Sequence, residues 1–264
     1  MIIQRKAQIL MGSSNPESGN QSPFLTIITV CYNSSKTIDR TLKSVADQDF
    51  DDYEYLIIDG GSKDETLDIV DRYRKVFGDR LKVISEPDNG IYDAMNKGIR
   101  MASGRLIGII NSDDRYEKGA FKAVADSYDN EKHLVIYGMM RKVQDGKELE
   151  TVIYNHENLD NQMINHPTCF VTKDTYQDFG MFDLKYRSSA DYELMLRLYH
   201  ETDTIFKPIY SIIADFELGG MSGSQTGYRE TLQLMKRYGT ISSGTYIRKV
   251  LKSHVYDFVK GRKG

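Results

Sequence analysis

The sequence predicts an α/β fold, a mainly parallel central sheet sandwiched between layers of helices, and three observations carry that prediction. Short apolar runs rich in β-branched residues alternate four times with longer stretches whose apolar residues recur every three or four positions, the pattern of strand–helix units around a parallel sheet. Each run ends in polar or acidic residues, so one sheet edge collects Tyr32 and Asn33, then Asp59, then Glu86 and Asp88, then Asp113 and Asp114. With 264 residues, 40% hydrophobic and 28% charged, the chain is long enough for a sizeable core and has the composition of an ordinary soluble protein.

Taken in order, residues 12–22 are nearly devoid of apolar side chains, and a disordered leader is expected over 1–22. Phe24 to Cys31 reads as the first strand, ending in Tyr32-Asn33-Ser34-Ser35. Ile38, Leu42 and Val45 then recur at helical spacing, with Ser34 or Ser35 as the expected cap. Tyr55 to Ile58 is a second strand, followed by a helix from about Asp64 with Leu67, Val70 and Tyr73 on one stripe. Leu81 to Ile84 is a third strand, Ser85 to Gly90 a loop, and residues 91–102 a helix. After the strand over Ile107 to Ile110 the pattern loosens. A helix near 117–128, a strand over Leu134 to Tyr137, a hairpin turn at Asp145-Gly146 and a short strand entered from Asn165-His166-Pro167 are expected, then a helix opened by Ser188-Ser189-Ala190-Asp191.

Several function classes are disfavoured. No Gly-x-Gly-x-x-Gly follows the first strand and no Gly-x4-Gly-Lys-Ser/Thr occurs, which disfavours a dinucleotide oxidoreductase and a P-loop phosphotransferase. No apolar run reaches the roughly 18 residues of a membrane span. Arg5 and Lys6 are not followed by an apolar core and a cleavage site, so a cytoplasmic protein is expected. Cys31 and Cys169 are too few for a disulfide framework and read as buried small hydrophobes.

The run Ile107-Gly108-Ile109-Ile110 delivers Asn111-Ser112-Asp113-Asp114 to the sheet edge. Two adjacent carboxylates repel, and the pairing makes chemical sense around a divalent cation whose remaining positions are filled by phosphate oxygens. An ordinary turn, in which Asn, Ser and Asp are favoured, explains the same residues and stays open. For Asp191 the alternative is a first-turn acid stabilised by the helix dipole. Asp59 before Gly60-Gly61 equally fits a plain turn, Lys97 a solvated helix face, and His166 before Pro167 a structural loop residue. Gly219-Gly220-Met221-Ser222 reads either as a lid or as a turn.

Five blocks resemble the family 2 glycosyltransferases, whose catalytic domain has the GT-A fold. They are Val30-Cys31-Tyr32-Asn33, Ile58 through Thr66, Asp88 through Ile99, Asn111-Ser112-Asp113-Asp114 and Ala190-Asp191-Tyr192. The block from Asp88 is similar to enzymes building bacterial exopolysaccharide, capsule or O-antigen, including the colanic acid type. The resemblance implies an inverting transfer from a UDP- or GDP-sugar to a glycan or lipid-linked acceptor, with Mn2+ or Mg2+ as cofactor. It implies nucleotide-sugar contacts by Thr29, Tyr32, Asp59, Asp88, Asn96, Lys97 and Asp113, metal coordination by Asp114, a general base in Asp191, and an acceptor contact at His166. At Ala190 the sequence departs from the pattern, many relatives having an acid there, which puts the hold on the acceptor in doubt. The rival readings are a catalytically inactive GT-A module kept for partner binding and a sugar nucleotidyltransferase; the Gly-rich, Lys-containing N-terminal loop of the latter is absent.

The organisation that follows is a GT-A domain over 23–222, with a nucleotide-binding half (23–115) and an acceptor half (116–222), and a basic extension over 223–264. Residues 229–264 hold nine Lys or Arg against two acids, a net of +7, which leaves −10 on the rest of a chain whose total is −3. Ile247, Val250, Leu251, His254 and Phe258 recur at helical spacing among Arg248, Lys249, Lys252 and Lys260. Such a helix suits the anionic inner face of a membrane, or a helix packed on the domain. Nucleic acid is not an expected partner of an acidic body without a recognition motif.

Overall fold

The strand–helix alternation builds one mixed sheet. The computed structural model describes residues 22–218 and 225–261, so residues 1–21 of the expected leader and the Gly219–Ser222 segment lie outside the described residues, as does the side chain of Lys260. The strands are β1 (Leu25–Cys31), β2 (Tyr53–Asp59), β3 (Leu81–Ser85), β4 (Leu106–Asn111), β5 (Arg115–Tyr116), β6 (Leu134–Gln144), β7 (Lys147–Val152), β8 (Phe170–Thr172) and β9 (Ile205–Glu217). The helices are α1 (Ile38–Ala46), α2 (Thr66–Arg72), α3 (Arg74–Phe77), α4 (Ile91–Met101), α5 (Ala120–Ser127), α6 (Lys173–Phe179), α7 (Ala190–Glu201), α8 (Gln225–Arg237) and α9 (Ser243–Gly261).

Strand order is β3-β2-β1-β4-β8-β6-β9-β5, with β7 on β6. The half formed by β3, β2, β1 and β4 is parallel, as expected. Beyond β4 the sheet is mixed, since β8 runs antiparallel to both β4 and β6 while β6 and β9 are parallel. The order reverses between β1 and β4, and such a switch point opens a crevice at the carboxyl ends of the strands.

Side-chain alternation along the strands builds a core on each face. Leu25 and Ile27 of β1, with Tyr55 and Ile57 of β2, pack against Ile38, Leu42 and Val45 of α1, Ile69 and Val70 of α2, and Phe121 of α5. Ile28, Val30, Leu56 and Ile58 pack on the other side against Tyr92, Met95 and Ile99 of α4 and Leu194 and Leu198 of α7. These side chains are almost wholly buried, which stabilises the fold by roughly 1.5–3 kcal/mol each. The three layers are those of an α/β/α sandwich, and Cys31 and Cys169 are buried within it.

The local expectations hold with exceptions. Asp145 and Gly146 both take positive φ (50° and 75°), as a tight hairpin turn between β6 and β7 requires. The residue preceding α1 is Thr37 rather than Ser34 or Ser35, and its side chain makes no cap bond; α2 starts at Thr66, two residues later than expected. Strand β9, thirteen residues long, escaped the sequence reading because Pro208 interrupts its apolar run. The strand tolerates that proline beside an irregular register, where pairing shifts between Tyr137 and Met139 of β6.

Candidate active site

The carboxyl edge of the parallel half is a set of loops tied to one another. Asn33, left-handed at φ 49°, donates its N–H to Ser62 Oγ (2.8 Å) and accepts from Lys63 N–H (2.8 Å). The Ser34 and Ser112 hydroxyls meet at 2.8 Å, bridging the loops after β1 and β4 across the switch point. Asp59, fully buried, accepts from the N–H groups of Gly61 (3.1 Å) and Ser62 (3.0 Å), from the hydroxyls of Ser62 and Ser85, and from the Cys31 thiol. Its carboxylate therefore organises the loop that follows β2. Thr29 is likewise fully buried, its hydroxyl 3.0 Å from Tyr55 Oη in mid-sheet, so it does not reach the edge. Tyr32 does, with 61% of its surface exposed. A Cβ on Gly60 would lie 2.6 Å from Asp88 Oδ2 and 3.4 Å from the Tyr32 ring, so the glycine is what lets Tyr32 and Asp88 converge.

At the end of β4 the turn Asn111–Asp114 differs in kind. Asp114 is 1% exposed, its Oδ1 accepts from Glu217 N–H (3.1 Å), and its Oδ2 is buried without a hydrogen-bond partner, as is Asn111 Oδ1. Burial, reinforced by the neighbouring Asp113 charge, pushes the Asp114 carboxyl well above the ordinary range. Burial also raises Asp113, against the attraction of Arg40. Two orphaned acceptor oxygens and a repelling carboxylate pair fit a divalent cation, for which Asp113, partly exposed, is the accessible carboxylate. Among the described residues no three His, Cys, Asp or Glu side chains form a metal cluster. A Mg2+-type site needs only one or two carboxylates when substrate phosphates complete the shell.

The third group lies where α4 meets α7. Asp191 sits in the first turn of α7, and its Oδ1 accepts from Tyr92 Oη (2.8 Å) and from Tyr192 N–H (2.9 Å). Tyr92, in the first turn of α4, is buried, and burial with the Asp191 charge drives its phenol upward in pKa. His166 packs edge-on against Phe182 (5.8 Å between ring centroids), and burial lowers its pKa against the opposing pull of the Asp191 charge. Asn96 is buried. Its amide donates to Phe182 carbonyl (2.9 Å) and accepts from Phe182 N–H (3.0 Å), locking the 180s loop to α4. Lys97 is also engaged within the protein, donating to Pro87 carbonyl (2.8 Å) and pairing with Glu86 (3.1 Å). A cavity of about 410 Å³ opens beside Tyr92, lined also by Asn89, Asp93, Leu184, Tyr186 and Arg187.

The family model described as glycosyl transferase family 2 matches residues 26–189. The chain belongs to that family. A relative in Mycobacterium bovis, a PGL/p-HBAD biosynthesis glycosyltransferase, is 26% identical over 255 residues, covering 88% of this chain and 97% of its own. The fold resembles S. aureus TarS in complex with UDP-GlcNAc (TM-score 0.67, 21% identity, 87% of this chain and 72% of that one). It also resembles a mannosyltransferase from Pyrobaculum calidifontis in complex with GDP-Man and Mn2+ (TM-score 0.62, 16% identity, 90% and 70%). The chain is thus a glycosyltransferase, and the family match ends two residues before Asp191.

Sequence reasoning missed Tyr92 as the partner of Asp191, Glu217 beside the carboxylate pair, and the contribution of α8 described below. Tyr92 had a signal, its place in the Asp88–Ile99 block. Glu217, 103 residues from Asp114, had none.

Proposed function

We propose that this family 2 enzyme transfers a sugar from a UDP- or GDP-sugar, with inversion, to a hydroxyl of a glycan or lipid-linked acceptor in the synthesis of a bacterial surface polysaccharide. The observation that carries the reading is Asp191, partly exposed and held at Oδ1 by Tyr92, whose ring lines a cavity together with Tyr186 and Arg187. A carboxylate so placed can remove the proton from an acceptor hydroxyl, which is a poor nucleophile until deprotonated. Its attack on the face opposite the departing nucleoside diphosphate inverts the anomeric carbon in one displacement.

On the donor side, Tyr32 and Asp88 border the nucleotide, and Asp59 shapes the loop between them. Asp113 and Asp114 would hold Mn2+ or Mg2+, which would offset the negative charge that builds on the leaving diphosphate. Support for the donor class comes from the ligands of the two solved proteins of the same fold. The halves divide at residue 115, the donor bound by 23–115 and the acceptor by 116–222. The inactive-module alternative is disfavoured by the presence of Asp113, Asp114 and Asp191 together.

No described helix is long and apolar enough to cross a membrane. On α9, however, Ile247, Leu251 and Val255, one turn apart, are each more than half exposed, beside exposed Arg248 and Lys252. This outward stripe supports peripheral contact with an anionic membrane on the cytoplasmic side, where a lipid-linked acceptor would lie. Co-sedimentation with phosphatidylglycerol vesicles should fall in a Leu251→Asp variant, and binding equal to that of the unmodified protein would sink the idea.

The deciding experiment is thermal stabilisation by UDP, GDP, CMP and dTDP sugars with and without Mn2+. A shift with one uridine or guanosine donor, lost on chelation and in Asp114→Asn, is expected, since a ligand that binds only the native state stabilises it by mass action. No shift from a folded sample would move the weight to a binding module.

A further inference from the structure

The loop that delivers Asp191 is held from outside the family-matched segment. Glu230 of α8 accepts the backbone N–H of both Arg187 (2.8 Å) and Ser188 (2.8 Å) on its two carboxylate oxygens. Ser189, the residue before α7, is buried, and its side chain makes no cap bond to its own helix. Its hydroxyl instead donates to the Gly227 carbonyl (3.1 Å) and lies 3.3 Å from Thr231 Oγ1. All three residues leading into Ala190-Asp191 are thus fastened to one face of α8. That helix is itself anchored, with Leu232 and Leu234 essentially fully buried.

The physical consequence follows from rigidity. Once α7 begins at Ala190, the place of Asp191 is set by where the helix starts, and that is set by residues 187–189. Hydrogen bonds to a charged acceptor are stronger than neutral ones, and two of them on successive N–H groups fix both the position and the direction of the backbone. Tyr92 holds the carboxylate at one end and α8 holds its backbone at the other. A base displaced by about 1 Å loses on the order of 100-fold in rate.

We infer that Glu230 is a positioning residue for the catalytic base, clamping the 187–189 loop so that Asp191 meets the acceptor hydroxyl. The inference rests on Asp191 being the base. Its test uses the full chain, with turnover read as release of nucleoside diphosphate from the donor selected by thermal shift. Glu230→Ala should lower kcat about 10- to 100-fold while donor KM and the donor-induced Tm shift stay within twofold of the unmodified enzyme. Glu230→Gln keeps one acceptor oxygen and should fall between. It also carries the test if the alanine variant does not fold. Either folded variant with kcat within twofold of the unmodified enzyme would overturn the clamp, as would a loss confined to Tm. Asp191→Asn separates the two layers: full turnover in that variant sinks the base assignment, whereas its loss together with an active Glu230→Ala sinks the clamp alone.

Discussion

Removing the hydroxyl of Tyr92 is the cleanest perturbation of the base, because the ring stays behind. Tyr92 is 7% exposed and its ring lies 5.4 Å from that of Phe182, contacts that phenylalanine preserves. What is lost in Tyr92→Phe is one hydrogen bond of 2.8 Å to Asp191 Oδ1. A bond to a charged group is worth roughly 1.5–3 kcal/mol. The lower end applies here, since Asp191 is partly exposed and its Oδ1 keeps the Tyr192 N–H. About 1.5–2 kcal/mol corresponds to a fall in kcat of roughly 10- to 30-fold. Steady-state kinetics on the donor found by thermal shift, with Tm as the control, should show the whole effect in kcat and none in donor KM. In an Asp191→Asn background the same change should add little further, because the two groups act through one contact. A Tyr92→Phe enzyme with wild-type kcat, or one that fails only in donor KM, would refute the reasoning.

Two further outcomes follow from particular contacts. Gly60→Ala places a methyl group 2.6 Å from Asp88 Oδ2 and forces that oxygen to move, so donor affinity measured by titration should fall about tenfold while Tm moves little, the displaced atom being the end of a side chain. At the opposite sheet edge Glu54 is desolvated, yet hydrogen bonds from Lys82, Ser103 and Thr26 more than offset that and hold it at about 2, against an ordinary 4.5. With the folded value depressed, its contribution of about 3 kcal/mol is fully present above pH 4.5 and is lost as pH falls toward 2. Acid unfolding of Glu54→Gln should therefore lack that component, and an unchanged stability–pH curve between those limits would contradict the assignment.

The donor half was legible because its information is local. A strand, a polar loop and a helix are contiguous in the chain, and periodicity places Tyr32, Asp88, Asp113 and Asp114 at one edge without any knowledge of contacts. What periodicity does not report is whether a polar group already has partners. Asp59 and Asp114 look alike in the sequence, each an acid at or just beyond the end of an apolar strand, yet one accepts from five donors and the other buries an oxygen with none. Thr29, Asn96 and Lys97 fall on the same side as Asp59, their polar atoms satisfied by Tyr55, Phe182 and the Pro87–Glu86 loop. The acceptor half was less legible because its contacts join distant residues: Tyr92 to Asp191 across 99 positions, Glu230 to Arg187 across 43. Glu230 is one of only two acids in a basic segment, and composition alone makes it an exception to a charge pattern. Its two N–H partners make it a clamp instead, and they tie the C-terminal helices to the position of the base.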